Sequence, residues 1–111
     1  MTYGLGSNDK SLPYLYNNIG VEYRKLGYFS SAIKYSKKAI QLFKKNDGVS
    51  SETTGMAYDR LGLAYQANGD IPNAKKSFQK AIDIFKSIGN SRLVLKTQRR
   101  INLCHNPKGE A

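Results

Sequence analysis

The sequence contains few of the residues that carry out catalysis, bind metals or form disulfides. It has one cysteine, one histidine, no tryptophan and only eight acidic residues. One cysteine excludes an internal disulfide, and the neighbouring pair Cys104 and His105 lacks the four ligands of a structural zinc site. The acidic residues are scattered, and no two of them have a spacing that suggests acid–base catalysis. We therefore expect no enzyme activity, no metal and no cofactor.

Long hydrophobic runs are also absent. No apolar stretch approaches the roughly 20 residues that cross a membrane. Residues 1–10, MTYGLGSNDK, lack the basic and apolar segments of a secretory signal, and we expect them to form a flexible tail. Without a signal or paired cysteines, the sequence predicts a cytoplasmic protein.

Positive charge, in contrast, is plentiful. Eighteen Lys and Arg residues against eight Asp and Glu residues give a net charge of +10. Such an excess is compatible with an acidic protein, an anionic lipid surface or RNA as a partner, and charge alone does not choose among them.

The strongest pattern is an internal repeat with a period of 42 residues. Residues 27–40, GYFSSAIKYSKKAI, return as residues 69–82, GDIPNAKKSFQKAI. Apolar residues recur within each copy at helical spacing, and a glycine at position 27 or 69 suits a turn with positive φ between two helices. Each copy is therefore predicted to be a helical hairpin. The following pairs coincide: Tyr16 and Tyr58, Gly20 and Gly62, Tyr23 and Tyr65, Ala32 and Ala74, Ala39 and Ala81, Phe43 and Phe85.

These positions resemble the tetratricopeptide repeat motif, in which an aromatic residue, Leu-Gly and Tyr precede an Ala-aromatic-Ala helix. The second copy matches it with Tyr58, Leu61, Gly62, Tyr65, Ala74, Phe78 and Ala81. The first copy departs from it at Ser36, which takes the aromatic place. Lys44 and Lys86 stand where the family has a proline, and the period exceeds the usual 34 residues. The chain thus resembles a long, 42-residue variant of the family.

The resemblance implies an all-α fold, an α–α superhelix (solenoid) of two such hairpins and a C-terminal capping helix. We expect a domain over 11–106, with repeats over about 13–46 and 50–88, the cap over about 91–105 and a tail at 107–111. Leu95 and Leu103 continue the repeat register in the cap, with the apolar Val94 and Ile101 nearby. Cys104, in the place of the repeat glycine, is expected to be buried. Two repeats are few for a solenoid, so the chain either belongs to a longer array or associates with itself.

The resemblance also implies a partner-binding groove, which the first helices of the repeats line in this family. The candidate residues of the two repeats lie within one or two helical turns of Gly20 and Gly62. Gln98 continues this row of groove positions into the cap. The candidates are Tyr14, Asn17, Val21, Arg24, Met56, Asp59, Leu63, Gln66 and Gln98. This mixture suits a peptide or a partner helix, whereas the alternative is an ordinary exposed surface of a spacer.

One family ligand, the C-terminal carboxylate of chaperones, is not favoured. Family members that bind it use a clamp of five residues, Lys, Asn, Asn, Lys and Arg, because a carboxylate needs paired cations. Here the clamp positions hold Asn17, Val21, Arg60, Gln98 and Asn102, none of which matches.

The lysines concentrate on the two second helices, which form the outer face in this family. They are Lys34, Lys37, Lys38, Lys44, Lys45, Lys75, Lys76, Lys80 and Lys86. They are expected to point outward, either as a solvated surface or as a basic patch for an acidic protein, a lipid or RNA. Nucleic acid is disfavoured because the interleaved tyrosines are explained as core and offer no stacking platform. A further alternative is an accessory segment of a larger scaffold, peptide-sensing regulator or enzyme.

Overall fold

Five α-helices make up the part of the chain that the computed structural model describes, residues 9–105. They are α1 (Leu12–Leu26), α2 (Phe29–Asp47), α3 (Glu52–Ala67), α4 (Ile71–Ser87) and α5 (Ser91–His105). α1 packs on α2 and α3 on α4 as two hairpins, and α5 packs on α4. The predicted all-α superhelix of two hairpins and a further helix is confirmed. The predicted tails, 1–10 and 107–111, lie outside the described residues except for Asp9 and Lys10.

Both hairpins turn at a glycine with positive φ. Gly27 has φ of +89° and Gly69 has φ of +81°, a backbone conformation that costs glycine nothing. Asp70 then caps α4, since its carboxylate accepts a hydrogen bond from the Asn73 N–H at 3.3 Å. α2, in contrast, has no side-chain cap. No helix between residues 9 and 105 is both long and apolar enough to cross a membrane.

Mid-helix glycines let the first helix of each hairpin approach the second closely. A Cβ atom built on Gly62 would lie only 2.5 Å from the ring carbons of the fully buried Phe78. In the first hairpin, the equivalent Cβ on Gly20 would lie 3.1 Å from the Ser36 hydroxyl. The space opposite the motif glycine is therefore filled completely in the second hairpin and less tightly in the first.

Two apolar clusters run through the stack. One joins the hairpins and contains Ala39, Ile40, Phe43, Ala57, Tyr58, Leu61, Ala81 and Phe85. The other attaches α5 to α4 and contains Ala74, Phe78, Ile82, Ile101 and Cys104. Cys104 is 2% exposed, which confirms its predicted burial. Burial also raises the pKa of its thiol, against the opposing charge of Lys75.

The side of α5 that is buried differs from the side that the repeat register predicts. The expectation of apolar contacts is wrong for Leu95 and Leu103, which are 62% and 60% exposed, but it holds for the neighbouring Val94 and Ile101, which pack on the core. Thr97, Ile101 and Cys104 are buried instead. These three residues follow helical spacing, so the residues between them turn toward solvent.

Five outer-face lysines lie over tyrosine rings. The Lys38 ammonium is 5.6 Å from the Tyr16 ring centroid, and the Lys80 ammonium is 5.7 Å from that of Tyr58. The same contact therefore occurs in both hairpins, 42 residues apart. Lys44, in the place of the family's proline, lies 5.6 Å from the same Tyr58 centroid. These lysines contribute to packing as well as to the surface charge. The remaining pairs are Lys34 with Tyr35 and Lys37 with Tyr65.

The contact between Lys80 and Tyr58 can be tested with a matched pair of variants. Lys80→Met keeps an unbranched stem but removes the charge, and should lower the free energy of unfolding by about 0.5–1 kcal/mol. Lys76→Met on the same helix, where no contact with a ring is described, should change it by less than about 0.5 kcal/mol. Urea unfolding followed by circular dichroism measures both. Equal values for the two variants would contradict a stabilising role of the ring contact.

Candidate partner-binding groove

The first helices α1, α3 and α5 carry the nine candidate binding residues. α1 contacts α3, and an ion pair joins α3 to α5. Tyr14, Met56 and Gln98 are exposed. Asp59, in contrast, is only 6% exposed. The half-buried members are Asn17, Val21, Arg24, Leu63 and Gln66.

Tyr14 offers a large, preorganised surface at the start of α1. Its ring meets the buried Phe43 ring edge to face, with centroids 4.9 Å apart. It nevertheless remains 51% exposed, and Met56 remains 37% exposed. An aromatic ring held by a core contact loses little entropy on binding, so it suits a partner contact.

Asp59 is a buried charge rather than the surface residue that the sequence suggested. Its Oδ1 atom lies 3.2 Å from the Arg100 Nε atom, and its Oδ2 atom lies 3.7 Å from the Arg60 Nη1 atom. Neither Asp59 Oδ1 nor Arg100 Nε completes a hydrogen bond, so the short approach is an ion pair with poor hydrogen-bond alignment. The pair anchors α5 on α3.

The sequence places Arg100 in a basic cluster on the cap, with Arg92, Lys96 and Arg99, but did not predict its ion pair with Asp59. A shift of 42 residues places Arg100 on Tyr58, so an arginine replaces the aromatic residue of the repeat. This replacement is the feature of the sequence that could have indicated a different role for position 100. A side chain of this length reaches from α5 to Asp59 on α3, where a tyrosine would only pack.

Burial dominates the electrostatics of Asp59. It raises the pKa of the carboxyl group, although the charges of Arg100, Arg60 and Lys96 act in the opposite direction. The charged form of Asp59 is therefore incompletely compensated in the folded protein.

This shift predicts a pH dependence of stability. The folded-state pKa lies above the reference value of 3.8, so the folded protein binds the proton more tightly than the unfolded chain does. The contribution of Asp59 to stability therefore falls as pH rises through the window above 3.8. Asp59→Asn has no such titration. We expect its free energy of unfolding, minus that of the wild type, to become more positive from about pH 4 upward. Thermal unfolding across this range measures the difference, and a slope of opposite sign would contradict the assignment.

Asn17 occupies the position on α1 that Asp59 occupies on α3, 42 residues later. Its Oδ1 atom is buried and has no hydrogen-bond partner among the described residues. Unpaired buried acceptors are rare because they lose their water without compensation. Asn17 is thus a hydrogen-bond acceptor without a donor among the predicted groove residues.

Comparison with known proteins decides the family. A model of the tetratricopeptide repeat matches residues 11–98, most of the chain. The chain belongs to the tetratricopeptide repeat family. This confirms the resemblance in the sequence, and tetratricopeptide repeats are in general non-catalytic modules of protein–protein interaction.

Solved structures support the fold. The chain is similar to BtubC (BKLC) from P. vanneervenii, with 17% sequence identity and a TM-score of 0.67. The match covers 95% of this chain and 51% of that protein, so this chain spans about half its length. At this identity the likeness concerns the tetratricopeptide fold alone. A comparison with curated proteins found no significant match.

Proposed function

We propose that this chain is a non-catalytic interaction module that binds a peptide or partner helix along α1, α3 and α5. The observation that carries the proposal is Tyr14, whose ring is held edge to face against Phe43 and yet remains 51% exposed. An exposed ring that is already ordered suits a contact with a peptide or partner helix. Met56, which is 37% exposed on α3, would add apolar contact in the same groove.

The outer face supports a second function less well. Five of its lysines lie over tyrosine rings, so their repetition has a structural reason. We regard the 42-residue spacing as a long form of the family repeat, since both hairpins use the same lysine–tyrosine contact. Membership of a longer array, as a scaffold or regulator segment, is compatible with this proposal.

The test compares two variants of the purified chain as baits in quantitative mass spectrometry. Tyr14→Ala/Asn17→Ala/Gln98→Ala alters the proposed groove, and Lys45→Ala/Lys76→Ala alters exposed positions on the second helices. We expect proteins enriched by the wild type to fall at least about fivefold on the groove variant, about 1 kcal/mol of binding free energy. They should be retained by the lysine variant. Circular dichroism must show both variants folded, and the reverse pattern of retention would contradict groove binding.

A further inference from the structure

Two arginines form ion pairs with Asp59, and the charge of Lys96 acts on the same carboxyl group. Arg60 follows Asp59 on α3, while Lys96 and Arg100 lie four residues apart on one side of α5. Arg60 and Arg100 approach the Asp59 carboxylate to 3.7 and 3.2 Å. One carboxylate against three cations leaves two positive charges uncompensated at this end of the groove.

The carboxylate lies below the cations. Asp59 is 6% exposed, whereas the Arg60 and Arg100 side chains are 31% and 23% exposed and Lys96 is exposed. Among residues 9–105, Lys96 has no acidic partner within ion-pair distance. The cations are therefore available to a ligand from solvent while Asp59 is not.

We propose that this cluster, Arg60, Lys96 and Arg100, binds an acidic side chain of the protein partner. The proposal rests on the groove function above and specifies the chemistry of its ligand. An arginine carries five donors, and Asp59 approaches Arg100 at the Nε edge, so the terminal NH₂ groups can bind a second carboxylate. A ligand carboxylate would also relieve the mutual repulsion of three neighbouring cations. Asp59 acts as a positioning residue that holds the Arg100 guanidinium.

A capped octaglutamate peptide, N-acetylated and C-amidated, is a suitable probe because it presents side-chain carboxylates without a terminal one. Fluorescence anisotropy measures its affinity at low and moderate salt. Arg60→Gln/Lys96→Gln leaves the pair of Asp59 and Arg100 in place, so the variant should fold. The matched control Lys45→Gln/Lys76→Gln removes two exposed charges from the second helices. Both variants have the same net charge.

We expect about tenfold weaker binding for Arg60→Gln/Lys96→Gln and less than about twofold for the control, because two ion contacts are removed only in the first. The charge-neutral variant Asp59→Asn/Arg100→Gln should also bind more weakly, although its net charge equals that of the wild type. Equal losses in both double glutamine variants would overturn the proposal, since binding would then follow net charge. Absence of wild-type binding would overturn it too. In either case, groove-dependent partners in the mass-spectrometry experiment would leave the interaction function standing.

Discussion

Phe78→Ala is expected to lower the free energy of unfolding by about 3–5 kcal/mol. Phe78 is 0% exposed and belongs to the cluster that attaches α5 to α4. Removal of the ring leaves a cavity and also weakens the packing of α5 on α4. Since small domains have a total stability of about 5–15 kcal/mol, the variant should lie close to the edge of folding. Urea unfolding followed by circular dichroism measures the loss.

The control for this variant lies at the equivalent position of the first hairpin. Ser36→Ala removes only a hydroxyl from a buried site, and should cost no more than about 1–1.5 kcal/mol. A loss below about 1 kcal/mol for Phe78→Ala would mean that the second hairpin does not depend on this ring. The expected difference between the hairpins comes from one aromatic residue in otherwise matching motifs.

Gly62→Ala is expected to lower the free energy of unfolding by about 1–3 kcal/mol, through overpacking. Alanine would otherwise favour the helix by about 1 kcal/mol. The added methyl group would lie 2.5 Å from ring carbons of Phe78, which is fully buried and cannot move aside freely. Gly20→Ala places its methyl group 3.1 Å from the Ser36 hydroxyl, which can rotate away, and 3.3 Å from the Ala32 carbonyl oxygen, a distance that needs only a small shift. It should therefore change stability by less than about 1 kcal/mol, again by urea unfolding.

A double-mutant cycle identifies the cause of the Gly62 effect. If the new methyl group clashes with the ring, Gly62→Ala should cost little once Phe78 is alanine, so the two losses will not add. Additive losses would show that the methyl group disturbs something other than Phe78.

The predicted groove illustrates how far sequence reasoning reaches. Tyr14, Met56 and Gln98 are exposed, as a binding surface requires. Asp59 is buried because Arg100, 41 positions later in the chain, covers it from α5. No spacing within one helix predicts that contact, since the partners lie on helices that are not consecutive.

What the sequence alone determined is the local structure of this protein. Helical periodicity and a glycine at each turn are short-range properties, and the structure has the hairpins where they predict them.

Only the tertiary structure decided the rotation of α5, the burial of Asp59 and the placing of lysines over tyrosine rings. Leu103 sits in the register of the repeat but turns to solvent, because Ile101 and Cys104 pack on α4 while Arg100 pairs with Asp59 on α3. The rotation of a helix depends on the whole set of neighbours that it can contact, and these neighbours come from distant parts of the chain. Periodicity therefore predicts that a helix exists, and the packing of its partners decides which side is buried.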